Sequence, residues 1–425
     1  MQEINVKKFI SIILAAFTAV ISLSVTVFAD SAFDYFDEYL TGRFENYASK
    51  INVKEVGDRF GLSVNDMFDL IEEVYYSHPE FYYVNNGYKY AATDGKIYYL
   101  DFDYIFRGSS HTAAQKKLDD AAKKVTEGIT EDMSDVEKAL YVHDYLILNC
   151  AYDNSLKKYS AYNCLVDRSC VCQGYSLAYM YILNNCLGIE CSTVISKEMN
   201  HIWNYVKIDN NWYHVDLTMD DPVDNFSSNS YDRYGSVRHD NFLMSDSKCR
   251  KSSVMHQNWK VVGGYPAAAD KGFDDAFWNG VNSRICCVDG YYYYTKNGGS
   301  ASNGKIYVYL CRYDKENHRE KILAKIKTNW IAYRNATTGE IYDDSTYSYR
   351  TVFSSLEYLN GKLYFNTNKK VYSYNPSTSK VKQVYTIKKG GNIQIFGMNE
   401  VNGKLRLAYR KDVTYPEKYL KLALK

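Results

Sequence analysis

The sequence predicts an α+β protein in three parts. These are a small N-terminal α+β module, a middle domain with a helix-borne cysteine packed on an antiparallel sheet, and a C-terminal all-β repeat domain. Three observations carry this. Stretches such as VNDMFDLIEEVYYSHPEFYYV and SDVEKALYVHDYLILNCAYD place apolar residues at helical spacing. NHIWNYVKI and WYHVDLT alternate on either side of Asp209-Asn210-Asn211, a hairpin signal. Beyond Phe273 the chain turns to short Tyr-rich runs broken by Asn-Gly and Asp-Gly. With 425 residues, 46% hydrophobic and 24% charged, it is long and apolar enough for two or three globular domains.

At the N-terminus, Lys7 and Lys8 precede an apolar run from Phe9 to Phe28, and Val27-Phe28-Ala29 ends it. Small residues at those positions fit a secretory signal over 1–29, cut after Ala29. The alternative is an uncleaved membrane anchor. Both readings put the body outside the cytoplasm, secreted or at the cell surface. A net charge of +1 gives no footprint for nucleic acid or for an anionic membrane. All ten cysteines follow the signal, and an even number in an exported chain suggests disulfides. If Cys172 stays free, the other nine cannot all pair. Structural zinc is disfavoured, because Cys170 and Cys172 stand Cys-x-Cys and no Cys-x2-Cys pair exists.

Residues 30–108 read as two helices and two Tyr-rich strands around Thr93-Asp94-Gly95, expected to serve as a structural pedestal. Residues 109–270 open with two helices, the second with Ser134 and Glu137 at capping-box spacing. His143 and Asp144 on that helix read as a surface ion pair or a satisfied buried histidine rather than catalytic groups. Residues 271–425 form the β-repeat domain. There an Asn-Gly-Lys-Leu phrase recurs at Asn360 and Asn402, a blade-like interval of 42 residues, with room for about three units rather than a closed propeller. The 44 tyrosines read first as strand residues and second as a glycan-binding surface.

The chemistry concentrates in Cys172, His201 and Asp216. A cysteine has a free pKa of about 8.5 and is a weak nucleophile at neutral pH. A helix N-terminus and a neighbouring imidazole lower that pKa, and a carboxylate on the second ring nitrogen fixes the imidazole's tautomer. Cys172 opens a helix in SCVCQGYSLAYMYILNNCLGIE, ended by Gly188, with Leu177, Ile182, Leu183, Cys186 and Leu187 for packing. Gly174 and Ser176 are read as keeping its first turn slim for substrate. A two-residue turn pairs positions summing to an odd number, so His201 and Asp216 share one strand face as diagonal neighbours. On this register Ile202, Val206, Ile208, Tyr213, Val215 and Leu217 form the other, apolar face. The Cys172 amide is one oxyanion donor, and Gln173 and Tyr162 are the candidates for a second. His214, on the same face as His201, reads as packing. Asp220, Asp221 and Asp224 lack the glycine and terminal glutamate of a calcium loop and read as a solvated turn.

Five blocks, VHDYLILNCAYD, SAYNCLVDRSCVCQGYS, LGIECSTVIS, NHIWNYVKIDNNWYHVDLTMDDP and NFLMSDS, resemble in order the transglutaminase-like superfamily, in its bacterial exported, transglutaminase/protease-like branch. The resemblance spans roughly Val136 to Trp259. It implies a papain-like core with Cys172 as nucleophile, His201 as general acid/base and Asp216 as orienting acid, with no cofactor and no metal. Ile202 stands where a small alanine is usual, and Met219 replaces a common tryptophan; both bear on specificity. The expected function is exported cysteine-dependent acyl transfer on peptide or glutamine amides, by a protease, deamidase or transglutaminase. The expected partners are a peptide or protein substrate, cell-wall peptide among them, with glycan or wall contact through the C-terminal domain. The alternative is a catalytically silent surface protein that binds peptide or glycan.

Overall fold

A computed structural model describes residues 31–224, 231–232, 234–252, 256–300, 305–328, 330, 333–334, 341–342, 353–388, 393–411 and 417–423. The apolar N-terminal run and the expected cleavage point after Ala29 lie outside the described residues. The fold is the α+β arrangement that the sequence predicts.

Helix α1 (Ala32–Glu45) opens at Ser31, whose hydroxyl accepts the Asp34 N–H. After β1 (Lys50–Asn52) come α2 (Lys54–Phe60) and α3 (Val64–Ser77), the latter opened by a Ser63/Asp66 capping box. Strands β2 (Val84–Thr93) and β3 (Lys96–Tyr104) turn on Asp94-Gly95, and the sheet order is β1-β3-β2. Helix α4 (Ser109–Thr126) leads to α5 (Asp135–Asn149), where the Ser134/Glu137 box is present. Strands β4 (Ala151–Tyr152) and β5 (Ser169–Cys170) then pair in parallel, delivering the chain to α6 (Cys172–Tyr181). After α6, Ile182–Leu187 run as a π turn, stopped by Gly188 at φ 67°.

Strands β6 (Cys191–Ser196), β7 (His201–Ile208), β8 (Asn211–Val215) and β9 (Lys260–Val261) form an antiparallel sheet in the order β9-β6-β7-β8. Ile208 pairs Asn211, leaving the two-residue turn Asp209-Asn210 with φ of 48° and 64°. That positive-φ pair is the primed turn whose twist matches a two-residue hairpin. Both hairpin faces are buried. Val206, Ile208, Tyr213 and Val215 join the main core with α6, while Trp203, Tyr205 and Trp212 pack in a second cluster with Met244, Cys249 and Ala268. The face carrying His201 is thus roofed by the chain beyond residue 240 rather than left to solvent.

The C-terminal part holds three antiparallel meanders among the described residues, within 286–328, 356–386 and 394–422. Their first hairpins turn on Asp289-Gly290, Asn360-Gly361 and Asn402-Gly403, each with both residues at positive φ. One continuous apolar core runs from Phe36 through Leu140 and Tyr175 to Tyr294 and Cys311. Among the described residues, no helix is long and apolar enough to cross a membrane. All ten cysteines are free thiols, contrary to the disulfides expected for an exported chain. The Cys150 and Cys170 sulfurs lie 3.5 Å apart. Cys186 lies exposed instead of packing, because the π turn rotates it outward.

Candidate active site

Cys172 is the first residue of α6, and Val171, the N-cap, has no side chain that can accept a hydrogen bond. Among the described residues nothing accepts the Cys172 N–H, so this amide and the positive end of the helix dipole remain available at the sulfur. Two hydrogen bonds fix α6 on β7: the Ser176 hydroxyl donates to Ile202 O (3.2 Å), and Asn204 Nδ2 donates to Ser176 O (2.9 Å). They set the distance between the helix start and the strand start, where Cys172 and His201 sit. Ser176 is therefore a helix-to-sheet tie, not an opening for substrate. Gly174 is equally internal: a Cβ there would lie 2.4 Å from Cys170 Cβ and 3.1 Å from Ser160 O.

His201 begins β7, paired with Ser196, and its ring lies 5.7 Å from that of Trp203 in a stacked arrangement. Its Nε2 is 2.7 Å from Asp216 Oδ2, which leaves Nδ1 as the ring nitrogen available to Cys172, with which His201 lines one cleft. Asp216 departs from the expected strand position. It follows β8 and caps the short helix α7 (Leu217–Asp220), its Oδ1 accepting the Met219 N–H at 3.1 Å. Burial alone pushes the His201 ring down, but the Asp216 charge, its hydrogen bond and then Cys172 reverse this and raise it to about 10. Burial likewise opposes the Asp216 charge, yet His201 and then His256 hold that carboxyl far below its ordinary value. Each partner thus favours the charged form of the other.

These groups open into a cleft of about 320 Å³. Its floor is Val171, Cys172, Gln173, His201 and Ile202, and its rim includes Tyr152, Tyr159 and Lys197. Glu72, Tyr76 and Asn86 also line it, and Gln173 Nε2 donates to Asn86 Oδ1 at 3.0 Å. The N-terminal α+β part is therefore a cleft wall as well as a pedestal, because the end of α3 and the start of β2 pack over the start of α6. Of the two candidates for a second oxyanion donor, Gln173 lies in the cleft. Tyr162 does not; it stacks on Tyr82 (5.5 Å) and against Phe106.

The sequence gives no sign of His256. It is fully buried, with Nε2 2.8 Å from the same Asp216 oxygen that His201 holds, and Nδ1 3.0 Å from Ser252 Oγ. It belongs to no periodic stretch and lies 40 residues past Asp216. His214, as expected, is structural: Nδ1 accepts from Trp203 Nε1 (3.0 Å) and Nε2 donates to Asp246 (2.9 Å).

His143 and Asp144 are not a surface pair. Both are buried; His143 bridges Asp144 Oδ1 (3.0 Å) and Asp220 Oδ2 (3.2 Å), and His239 Nε2 reaches Asp144 (2.9 Å). Asp220 and Asp221 are likewise buried rather than solvated, Asp220 taking two Asn241 donors and Asp221 the Tyr175 hydroxyl at 2.6 Å. This network staples α5 to α7 behind the cleft. Among the described residues, three groups bring potential metal-ligand atoms within 4.8 Å: Cys150/Cys164/Cys170, His143/Asp144/His239 and His201/Asp216/His256. In the two histidine groups each carboxylate already accepts the imidazole donors, and the thiol group lies behind α6, outside the cleft lining.

Residues 119–217 match the sequence profile of the transglutaminase core, described as the Transglutaminase-like superfamily. Among solved structures, one named only as a TGase aligns at 14% identity over 40% of this chain and 50% of its own, with a TM-score of 0.23. A candidate cysteine protease from Cytophaga hutchinsonii aligns at 15% identity over 30% of this chain and 55% of its own, TM-score 0.21. The extracellular domain of a hybrid two-component system from B. thetaiotaomicron aligns at 14% over 52% of this chain and 26% of its own, TM-score 0.21. The chain thus spans about half the length of the first two structures it matches. No curated protein matches it by sequence.

Proposed function

We propose that this chain, which carries a transglutaminase-like domain over residues 119–217, is an exported enzyme that transfers acyl groups from peptide or glutamine amides through a thioester on Cys172. One observation carries the reading: a cleft-lining cysteine at an uncapped helix start is joined to a buried imidazole that a carboxylate holds at 2.7 Å. The Cys172 sulfur attacks the amide carbonyl carbon with its proton held on His201. The carbonyl oxygen takes the negative charge and is met by the Cys172 N–H. As the C–N bond breaks, His201 gives its proton to the leaving nitrogen, and the acyl group remains on sulfur. His201 then takes a proton from water or from an amine as it attacks the thioester. Asp216 stays ionised throughout and orients the ring.

Water as acceptor makes the enzyme a protease or deamidase; an amine makes it a transglutaminase. Hydrolysis is the favoured branch, since the sequence carries neither a calcium loop nor a lysine-recognition motif. The Lys7–Ala29 segment supports export, and the Tyr-rich C-terminal sheets are the proposed contact with wall or glycan. The test is mass spectrometry of peptide mixtures incubated with wild type and with Cys172→Ala. Cleavage, a deamidation increment or a cross-link, each dependent on Cys172, selects the branch. Identical product spectra from the two proteins would leave a silent binding protein in its place.

A further inference from the structure

We infer that His256 is a positioning residue of the Cys172 site, acting through Asp216; this rests on the acyl-transfer reading. Asp216 Oδ2 lies 2.7 Å from His201 Nε2 and 2.8 Å from His256 Nε2, while Oδ1 accepts the Met219 N–H. A carboxylate only accepts hydrogen bonds, so both rings present an N–H to it. Met219 fixes one end of the carboxyl group. Without His256, the other end is held by His201 alone, the group that it must orient. His256 supplies an independent anchor from outside the hairpin. Its own ring is pinned: Nδ1 meets Ser252 Oγ at 3.0 Å, that oxygen also lies 2.9 Å from Cys249 O, and Trp203 packs with its ring centroid 4.8 Å away.

The other ionisable groups facing this centre are the same in every protein compared: Cys249, His214 and Asp246 around Asp216 and Trp203, and Glu72, Tyr76, Tyr152, Tyr159 and Lys197 in the cleft. Burial keeps the Cys249 thiol up and the His214 ring down, and the His214 hydrogen bond holds Asp246 low. A change in the pH dependence of Cys172 chemistry therefore reports on the Cys172–His201 pair and what orients it.

The experiment measures iodoacetamide alkylation of Cys172 from pH 5 to 10 by peptide mass spectrometry, in the full chain, with folding checked by circular dichroism. Wild type, His201→Ala, His256→Gln and His256→Asn are compared. Glutamine can put an N–H where His256 Nε2 stands; asparagine is too short. The expected result is a wild-type profile for His256→Gln. For His256→Asn the rate at neutral pH should fall by about tenfold, the lower end for losing an outer hydrogen-bond partner, and its profile should move toward that of His201→Ala. If both His256 variants follow wild type while His201→Ala does not, His256 merely fills space and the inference is wrong. If His201→Ala itself follows wild type, the acyl-transfer reading fails first. Should His256→Asn not fold, Ser252→Ala, which frees Nδ1 and loosens the ring, decides: an unchanged profile overturns the role, and a shift toward His201→Ala supports it.

Discussion

The His201 imidazole holds its proton up to about 10, which decides how Cys172 should respond to pH. The ring should keep its proton through neutrality, and the alkylation rate of Cys172 should change as the imidazolium titrates near that upper limit. Removing the ring should abolish that upper change. An alkylation profile from pH 5 to 10 in wild type and His201→Ala checks this, and coincident profiles would sink it. Asp216→Asn should keep the geometry but favour the wrong tautomer of His201, lowering turnover by on the order of 10⁴ once a substrate is in hand. The nearness of these three side chains is legible in the sequence because local rules control it. Turn length sets the register that puts His201 and Asp216 on one face, and a helix start sets Cys172. His256 is not legible: only the packing of the chain after β8 brings it to Asp216.

At the scale of elements, α6 is held by contacts that local pattern does not encode. Gly174 looks like a gap for substrate, yet Cys170 and Ser160 crowd the place of its missing Cβ. Gly174→Ala should therefore destabilise the protein by about 1–3 kcal/mol through overpacking, despite a helix-propensity gain of about 1 kcal/mol. A urea midpoint equal to or above that of wild type would refute this. Helix α3 carries three acids near the cleft, of which Glu72 lines it. Asp69 pairs with Lys197 and Glu73 with Lys260, whereas half-buried Glu72 lines the cleft with no hydrogen-bond partner among the described residues. Burial raises its carboxyl above the ordinary value, with Lys197 pulling the other way. An ionised Glu72 should favour cations approaching Cys172. The ratio of Cys172 labelling rates for an ethylammonium and an ethylsulfonate methanethiosulfonate should fall by about threefold or more in Glu72→Gln. An unchanged ratio would remove Glu72 as a source of charge selectivity. No periodicity marks Glu72 as different from its neighbours, because its exposure to the cleft depends on how α3 docks beside α6.

Across the whole molecule, the same buried networks that escape a linear reading set the dependence of stability on pH. Burial opposes a charge on His143, but Asp144 and Asp220 raise the ring to about 9; His78 is raised to about 9 against burial by Asp37 and Glu80, and His201 to about 10. Each lies above the ordinary value of about 6.5. A group raised in the fold contributes stability that is complete below its unfolded value and is lost as pH climbs through the folded one. Buried thiols act in the same direction: burial pushes Cys286, Cys287 and Cys311 up to about 12, so the unfolded chain gives up these protons first. The depressed carboxyls of Asp216 and Asp144 contribute no slope here, since their stabilisation fades only as pH falls below about 4. Cys150, held low by Cys164 and Cys170 against burial, and Lys248 and Lys369, lowered by burial, run the other way, but the raised groups outnumber them. Unfolding free energy from urea titration, with reductant present throughout, should drop between pH 7 and pH 9.5. A flat or rising curve over that interval would mean that the raised histidines and thiols do not set the alkaline dependence of stability.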